Sequence, residues 1–198
     1  CRWAADRLGC PPEQILPGST GVIGVPLDMK KLRAGLDAAF AALSPDGGDA
    51  AARAIMTTDT RDKQGFVTAA CAGGNVGIGA MAKGSGMIHP DMATMIAVLT
   101  TDAAISARDL DAALRRATAR TLNRISVDGD MSVCDKALLL ASGASGVTLC
   151  AGTEDYEAFV CALTGLCRDL ARRLAADGEG ATKLLTVNVR GAASDEDA

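Results

Sequence analysis

The chain has 198 residues, enough to bury a substantial core as one domain or two small ones. Hydrophobic residues make up 48% and charged residues 22%, a globular balance. Aromatics reach only 3%, so the core must be built from Ala, Val, Leu, Ile and Met. A net charge of −4 and a sequence pI near 5.0 argue against nucleic acid as the main partner. No apolar run is as long as a membrane span, and the first 20 residues do not read as a signal peptide. The seven cysteines (Cys1, Cys10, Cys71, Cys134, Cys150, Cys161 and Cys167) are odd in number and contain no CxxC pair. Reduced, mostly buried thiols in a cytoplasmic chain explain them better than a disulfide framework or a zinc site.

In chain order, Cys1-Arg2-Trp3-Ala4-Ala5 reads as the middle of a helix, with no start methionine and no cap. That helix spans residues 2–8 and stops at Gly9, and Pro11-Pro12 punctuate the loop after it. Residues 15–23 read as a short strand interrupted by Gly18-Ser19-Thr20-Gly21. Residues 28–43 form an amphipathic helix capped by Asp28, with Leu32, Leu36, Phe40 and Leu43 on one packing face. Residues 54–58 and 65–72 are strands on either side of a polar turn, and on residue type alone Thr57, Thr58 and Thr60 are β-branched strand residues. Gly77-Ile78-Gly79-Ala80-Met81-Ala82 fits a dinucleotide GxGxxA pattern. That fingerprint needs a helix opening at the glycines, and Gly84, Gly86 and Pro90 would break it. The stretch is better read as a strand whose missing side chains admit a close neighbour.

Residues 95–99 form a buried strand by length and composition. A helix follows over residues 106–122, with Ser106 as N-cap, Asp109 at the positive end, and Leu110, Leu114 and Ala117 inward. Asp128-Gly129 signals a turn. The longest helix runs over residues 153–176. Thr153 caps it, Phe159, Val160, Leu163, Leu166, Cys167, Leu170 and Leu174 form its inner stripe, arginines fill its last turns, and Gly178 stops it. Residues 185–189 alternate as a half-exposed strand, and the chain ends in an acidic run.

The stretch that organises this order is KGSGMIHPDMATMIAVLTT, residues 83–101. It sets Thr94 where an irregular glycine-broken loop becomes a buried strand. A lone threonine is a poor nucleophile and needs an adjacent base. If the Ala93–Thr94 bond were cut, Thr94 would carry a free α-amine beside its own Oγ, and such an amine titrates near pKa ~8 in peptides. On chemistry alone most threonines at strand starts are structural. The single histidine, His89, sits against Pro90 with no serine to pair with, and reads as a structural loop residue.

The string KGSGMIHPDMATM resembles the self-cleavage site of the ornithine acetyltransferase (glutamate N-acetyltransferase) family of arginine biosynthesis. Four further stretches agree with that family in order and spacing: STGVIGVPL (residues 19–27), AIMTTDT (54–60), NRISVDGD (123–130) and EGATKL (179–184). The resemblance covers nearly the whole chain. It implies an α/β (α+β) fold of N-terminal-nucleophile type, with layered sheets flanked by helices. It also implies self-cleavage between Ala93 and Thr94, making residues 1–93 the C-terminal part of an α chain and residues 94–198 the N-terminal part of a β chain. Both ends of the longer enzyme would be missing, together with its C-terminal substrate contacts.

The implied chemistry moves an acetyl group from N-acetylornithine to glutamate through an ester on Thr94, in ping-pong fashion. Thr20 and Gly21 match the family's oxyanion hole. Thr57, Lys83 and Glu179 match substrate contacts, Lys83 for a carboxylate and Glu179 for an amine. On residue type alone, Lys83 would be a solvated loop lysine and Glu179 a solvated glutamate. No cofactor or metal is required. Acetyl-CoA is an alternative donor the sequence does not decide. The αβ units would pair into a heterotetramer, with no nucleic acid or membrane partner. The chain departs from its relatives at Met131, Val133 and Cys134, where small hydroxyl residues and an asparagine are usual. Competing readings are a self-processing aminopeptidase, which cleaves peptides instead of exchanging acetyl groups, a non-catalytic binding remnant, and a Rossmann-type nucleotide binder.

Overall fold

A two-residue turn, Ala72-Gly73, folds the middle of the chain on itself and starts the sheet. In this computed structural model, every residue is described except Ile23, Asp91, Met92, Ala93, Asp195, Glu196 and Ala198. Strands β1 (Lys63–Cys71) and β2 (Gly74–Lys83) pair antiparallel, from Cys71 opposite Gly74 to Lys63 opposite Ala82. Gly74 has φ 131°, a backbone region that side chains seldom enter, so glycine there lets the hairpin close. Strand β3 (Ile96–Thr101) adds antiparallel to β2, with Ile96 opposite Lys83. After the two-residue β4 (Ala104–Ile105), helix α4 (Ala107–Ala119) carries the chain back, as a parallel connection requires. Strand β5 (Lys136–Ala141) then pairs parallel to β3, giving the order β1-β2-β3-β5. Strand β6 (Thr148–Leu149) pairs with β4 in a separate two-stranded sheet.

Helix α5 (Glu154–Ala176) lies across β1 and β2, with α4 beside it. Its cap is as the sequence suggests: Thr153 Oγ accepts from the Tyr156 N–H. All seven residues of the expected inner stripe are buried, and they meet Val76, Ile78, Ala97 and Leu99 from the sheet. Each such large aliphatic or aromatic side chain contributes about 1.5–3 kcal/mol on burial. Gly65 allows the close approach of β1 and α5, since a Cβ there would stand 2.7 Å from Leu166 Cδ1. Ser106 caps α4 through the Asp109 N–H, and Ala113 and Ala117 are its fully buried residues. The architecture is α/β, a mixed sheet flanked by helices. No helix among the described residues is long and apolar enough to cross a membrane.

The structure corrects several expectations in the N-terminal third and at the C-terminal end. Helices α1 (Arg2–Leu8) and α2 (Met29–Ala41) form as expected, with Asp28 accepting from the N–H groups of Lys30 and Lys31. The apolar face of α2 is not packed: none of its residues is buried, and Leu32 is 47% exposed. Helix α1 approaches it, through an Arg7–Asp37 contact of 2.6 Å and through Trp3, whose ring lies 5.5 Å from the guanidiniums of Arg7 and Arg33. Residues 15–22 form no strand, because Pro17, Gly18 and Gly21 break the run and no neighbour supplies a ladder. Residues 54–58 are not a strand either. The alanine-rich run before them forms helix α3 (Gly48–Ala54), and the Thr57 N–H then turns back to Asp59 Oδ2 at 3.2 Å.

The GxGxxA stretch is strand β2 throughout, which removes the nucleotide-binding reading. Residues 185–189 stay unpaired, with Leu185 and Val187 more than 80% exposed. All seven cysteines are free, as expected, but only Cys167 is buried, and burial pushes its thiol up to about 12. Cys1, Cys150 and Cys161 are exposed, so the mostly buried thiols of the sequence reading are not found. Helix α3 and strands β4, β5 and β6 were not anticipated.

One buried ionic cluster ties these elements together. Lys63, the first residue of β1, donates from Nζ to Asp59 Oδ1 and Asp177 Oδ2, both at 2.6 Å. Its side chain is 1% exposed, that of Asp59 0% and that of Asp177 10%. Burial works against ionising Asp59. The Gly84 N–H, the Lys63 ammonium and the Thr57 N–H outweigh it and hold the carboxyl below its usual range. Asp177 is shifted the same way. Burial opposes ionisation, and bonds from Lys63 and from the hydroxyl and N–H of Thr60 prevail. Removing the ammonium would leave two carboxylates facing each other out of water. Lys63→Met should therefore cost about 3–5 kcal/mol of stability, read as a lower urea midpoint with an unchanged slope. A loss under 1 kcal/mol would mean the cluster is dispensable.

Candidate active site

The loop from Gly84 to Met95 joins β2 to β3, and polar groups hold it from three sides. The Gly84 N–H donates to Asp59 Oδ1 at 2.7 Å, so the Lys63 cluster fixes where the loop leaves β2. The Ser85 hydroxyl donates to the Asp177 carbonyl at 2.6 Å, and the Ser85 carbonyl accepts from the Glu179 N–H at 2.7 Å. Asp128 accepts from the N–H groups of Met87 and Ile88 at 2.6 and 3.1 Å, and the Val127 N–H donates to the Ile88 carbonyl at 2.9 Å. Burial resists the Asp128 charge, but these backbone donors lower its pKa overall. Met87, held from Asp128, has φ 56°, a left-handed conformation that costs a residue with a Cβ on the order of 1 kcal/mol. Its carbonyl accepts from the Thr94 N–H at 2.6 Å. Gly84 allows the return of the chain, since a Cβ there would stand 3.1 Å from the Thr94 carbonyl oxygen.

Thr94 thus sits where the sequence suggests, two residues before β3. Its Oγ is buried and has no hydrogen-bond partner among the described residues. Ala93, the other side of the expected cut, lies outside the described residues. Lys83, the last residue of β2, is 2% exposed, and its Nζ donates to Thr57 Oγ at 2.7 Å. Two residues far apart in sequence and expected to contact substrate are therefore in direct contact. Lys83 is not a solvated loop lysine.

Glu179 is exposed, and its carboxylate packs over Gly86. There it lines a cleft of about 800 Å³ with Ser85, Thr60, Arg61 and Arg173. A second groove, about 440 Å³, lies at the far end of the strands around Phe66, Gly77 and Asp102, away from Thr94.

The segment before Thr20 and Gly21 rests on the same end of the sheet. Lys136 Nζ donates to the Pro17 carbonyl at 3.4 Å, and a Cβ on Gly18 would lie 3.1 Å from Lys136 Cδ and 4.0 Å from Ile96 Cγ2. Thr20 is half-buried and Gly21 is exposed, with nothing within 4 Å of where its Cβ would be. No hydrogen bond among the described residues joins either of them to Thr94. His89 Nδ1 lies 3.4 Å from Ser126 Oγ.

Sequence reasoning missed the residue nearest this centre in register. Because β3 and β5 run parallel with Ile96 opposite Lys136, Asp135 stands beside Met95. Its Oδ1 accepts from the Met95 N–H at 3.1 Å, while its Oδ2 is buried without a partner among the described residues. Burial pushes the Asp135 carboxyl up to about 6, against the opposing influence of the Met95 N–H and the Lys83 ammonium. The signal was the same as for Thr94, a polar residue just ahead of an apolar run, KALLLA. The unusual loop before it turns its apolar members outward. Met131 and Val133 are 62% and 86% exposed, while Ser132 is buried and accepts from the Cys134 N–H.

Set beside known proteins, the whole chain, residues 1–198, matches the model of the ArgJ family. The chain belongs to that family. It is 54% identical over 198 residues to the arginine biosynthesis bifunctional protein ArgJ of Symbiobacterium thermophilum, covering all of this chain and 49% of that one. The ArgJ proteins of Methylococcus capsulatus and Thermus thermophilus are 47% and 50% identical, each with 98% or more of this chain and 48–49% of theirs covered. The chain therefore spans about half the length of these relatives. A crystal structure of the Bacillus halodurans protein of the same name aligns over 42% of this chain and 39% of its own, at 46% identity and a TM-score of 0.40.

The raised Asp135 pKa has a signed consequence for stability. The folded chain holds this proton up to about pH 6, whereas an unfolded aspartate releases it near 3.8. Between those values the folded state binds more protons, so this group favours folding at the acid end and loses that contribution as pH rises. Urea unfolding of the parent and Asp135→Asn between pH 4 and pH 7 should show this slope in the parent alone. Parallel profiles would refute the assignment.

Proposed function

We propose that the protein transfers an acetyl group from N-acetylornithine to glutamate through an ester on Thr94, after cutting itself between Ala93 and Thr94. The observation that carries this reading is the state of Thr94: a buried hydroxyl without a partner among the described residues, in a loop held from three sides, in a chain of the ArgJ family. Buried polar groups in folded proteins are almost always paired, and an exception calls for a reason such as catalysis.

Cleavage converts the Thr94 amide into an α-amine next to Oγ, and this amine takes the hydroxyl proton as Oγ attacks the acetyl carbonyl. Thr20 and Gly21 would meet the developing oxyanion with a hydroxyl and a backbone N–H, each such donor being worth roughly 3 kcal/mol in the transition state. Ornithine leaves with the proton, and the amine of glutamate then takes the acetyl group from the ester. The Lys83–Thr57 pair supports a role for Lys83 in holding the substrate carboxylate, because a buried ammonium next to a hydroxyl exchanges that partner for an anion readily. Glu179, at the rim of the larger cleft, would meet an amine. Acetyl-CoA as a second donor and a paired αβ assembly belong to the same reading, as does a cytoplasmic setting.

Intact-protein mass spectrometry of the full-length protein should show two fragments, and Thr94→Ala one unbroken chain without acetyl exchange between ornithine and glutamate. Cleavage of the Thr94→Ala chain at the same bond would refute this reading. Peptide hydrolysis without acetyl exchange would favour the aminopeptidase instead. Lys83→Met should raise the KM for N-acetylornithine by roughly 100-fold, about the loss of one charge-assisted contact.

A further inference from the structure

Self-cleavage needs a base that the mature enzyme's chemistry does not provide. In the mature protein the Thr94 α-amine accepts the hydroxyl proton. Before the cut that nitrogen is an amide, and here its N–H is committed to the Met87 carbonyl. Another group must take the proton from Oγ and return one to the departing nitrogen. His89, the single histidine, faces Ser126 across the loop, its Nδ1 3.4 Å from Ser126 Oγ, and no hydrogen bond among the described residues links it to Thr94. Lys83 is engaged elsewhere, its Nζ donating to Thr57 Oγ.

Asp135 is placed to do this. Its Oδ1 holds the N–H of the residue after Thr94, so the carboxyl is fixed against the nucleophile's own backbone. Its Oδ2 and the Thr94 Oγ are the buried side-chain atoms without partners among the described residues. We propose, on the reading that Thr94 cuts its own chain, that Asp135 carries the proton in that cut. Asp135 takes the proton from Oγ as Oγ bonds to the Ala93 carbonyl carbon. It then passes that proton to the Thr94 nitrogen as the C–N bond breaks, leaving an ester and an amine. Water hydrolyses the ester, restoring the hydroxyl and releasing the Ala93 carboxylate.

The charged and titratable neighbours leave this role open to Asp135. Lys83 faces it from the end of β2, and its ammonium keeps the carboxyl from rising further. Lys136, next along β5, turns its ammonium to the Pro17 carbonyl, and Cys134 precedes it in the loop. Asp59 is occupied by Lys63 and Gly84. A carboxyl that ionises at about pH 6 is a far better proton acceptor at neutral pH than an ordinary aspartate, and it remains charged there.

The test follows freshly translated full-length precursor by gel electrophoresis after a shift to buffers from pH 5 to pH 8. The parent should cleave faster as pH rises and level off above about pH 6. Asp135→Asn should cleave about 100-fold more slowly at pH 7 or slower still, with a flat profile, and Asp135→Glu should recover part of the rate. At pH 5, where the parent carboxyl is mostly neutral, Asp135→Asn and the parent should unfold alike, so slow cleavage cannot be put down to misfolding. Should the asparagine variant prove unstable at pH 5, the plateau in the parent profile and the rate of Asp135→Glu decide the matter. Asp135→Asn cleaving at the parent rate, or a parent rate that climbs without levelling, would overturn the proposal while self-cleavage stands. A parent that never cleaves would overturn self-cleavage itself, and this proposal with it.

Discussion

Lys63 sits between Asp59 and Asp177 with almost no contact with water, and the site depends on that placement. An ammonium removed from solvent is tolerated only with close, hydrogen-bonded anions. The two aspartates come from opposite ends of the fold, one from the turn before β1 and one from the C-terminal end of α5. Meeting at Lys63, they fasten the longest helix to the first strand. Each then has a second task. Asp59 takes the Gly84 N–H, and the Asp177 backbone takes the Ser85 hydroxyl. A pair that might be read as stabilising the core thus also sets the path of the loop that delivers Thr94.

The far side of that loop is set by Asp128, which closes on the N–H groups of Met87 and Ile88 and holds Met87 in a left-handed conformation. Strain of this kind persists only where the surroundings over-determine it, and it tends to gather at functional sites. Here the Met87 carbonyl reaches the Thr94 N–H. The described backbone of the loop is well bonded, yet the hydroxyl at its end and the Oδ2 atom of the carboxyl across from it have no partners among the described residues. Rigid surroundings around unpaired reactive atoms are what preorganised catalysis requires, because reorganisation is completed during folding and not during reaction.

The hydrophobic period made α4 and α5 legible in the sequence, down to their capping residues, because those helices bury one face against a sheet. The same reading failed for α2, whose stripe of Leu32, Leu36 and Phe40 has the right spacing but is nowhere fully buried, Leu36 and Phe40 being half-covered and Leu32 exposed. Periodicity reports what a segment is able to bury, not what lies opposite. Strand β5 went unread because its apolar run is continuous and short, and its partner is nonlocal. With β5 went Asp135, whose meaning lies entirely in parallel pairing with β3. Motif likeness picked out Lys83 and Thr57, which do touch, but it did not single out Lys63, Asp59 or Asp177. Such support residues carry no local signature, since a lysine at a strand start is charged surface until the helix end closes over it. Thr20 and Gly21 lie in a segment packed against the right end of the sheet, without a bond to Thr94.

In the proposed reaction one hydroxyl, isolated by a braced loop, becomes the acetyl carrier. The most direct measurement is to treat the full-length protein with N-acetylornithine, remove the released ornithine, and map the acetyl group by peptide mass spectrometry. The expected result is a single hydroxylamine-labile acetyl group on the fragment that begins at Thr94, discharged when glutamate is added. An acetyl group on any other residue, or acetyl exchange with no acetyl on Thr94, would contradict it.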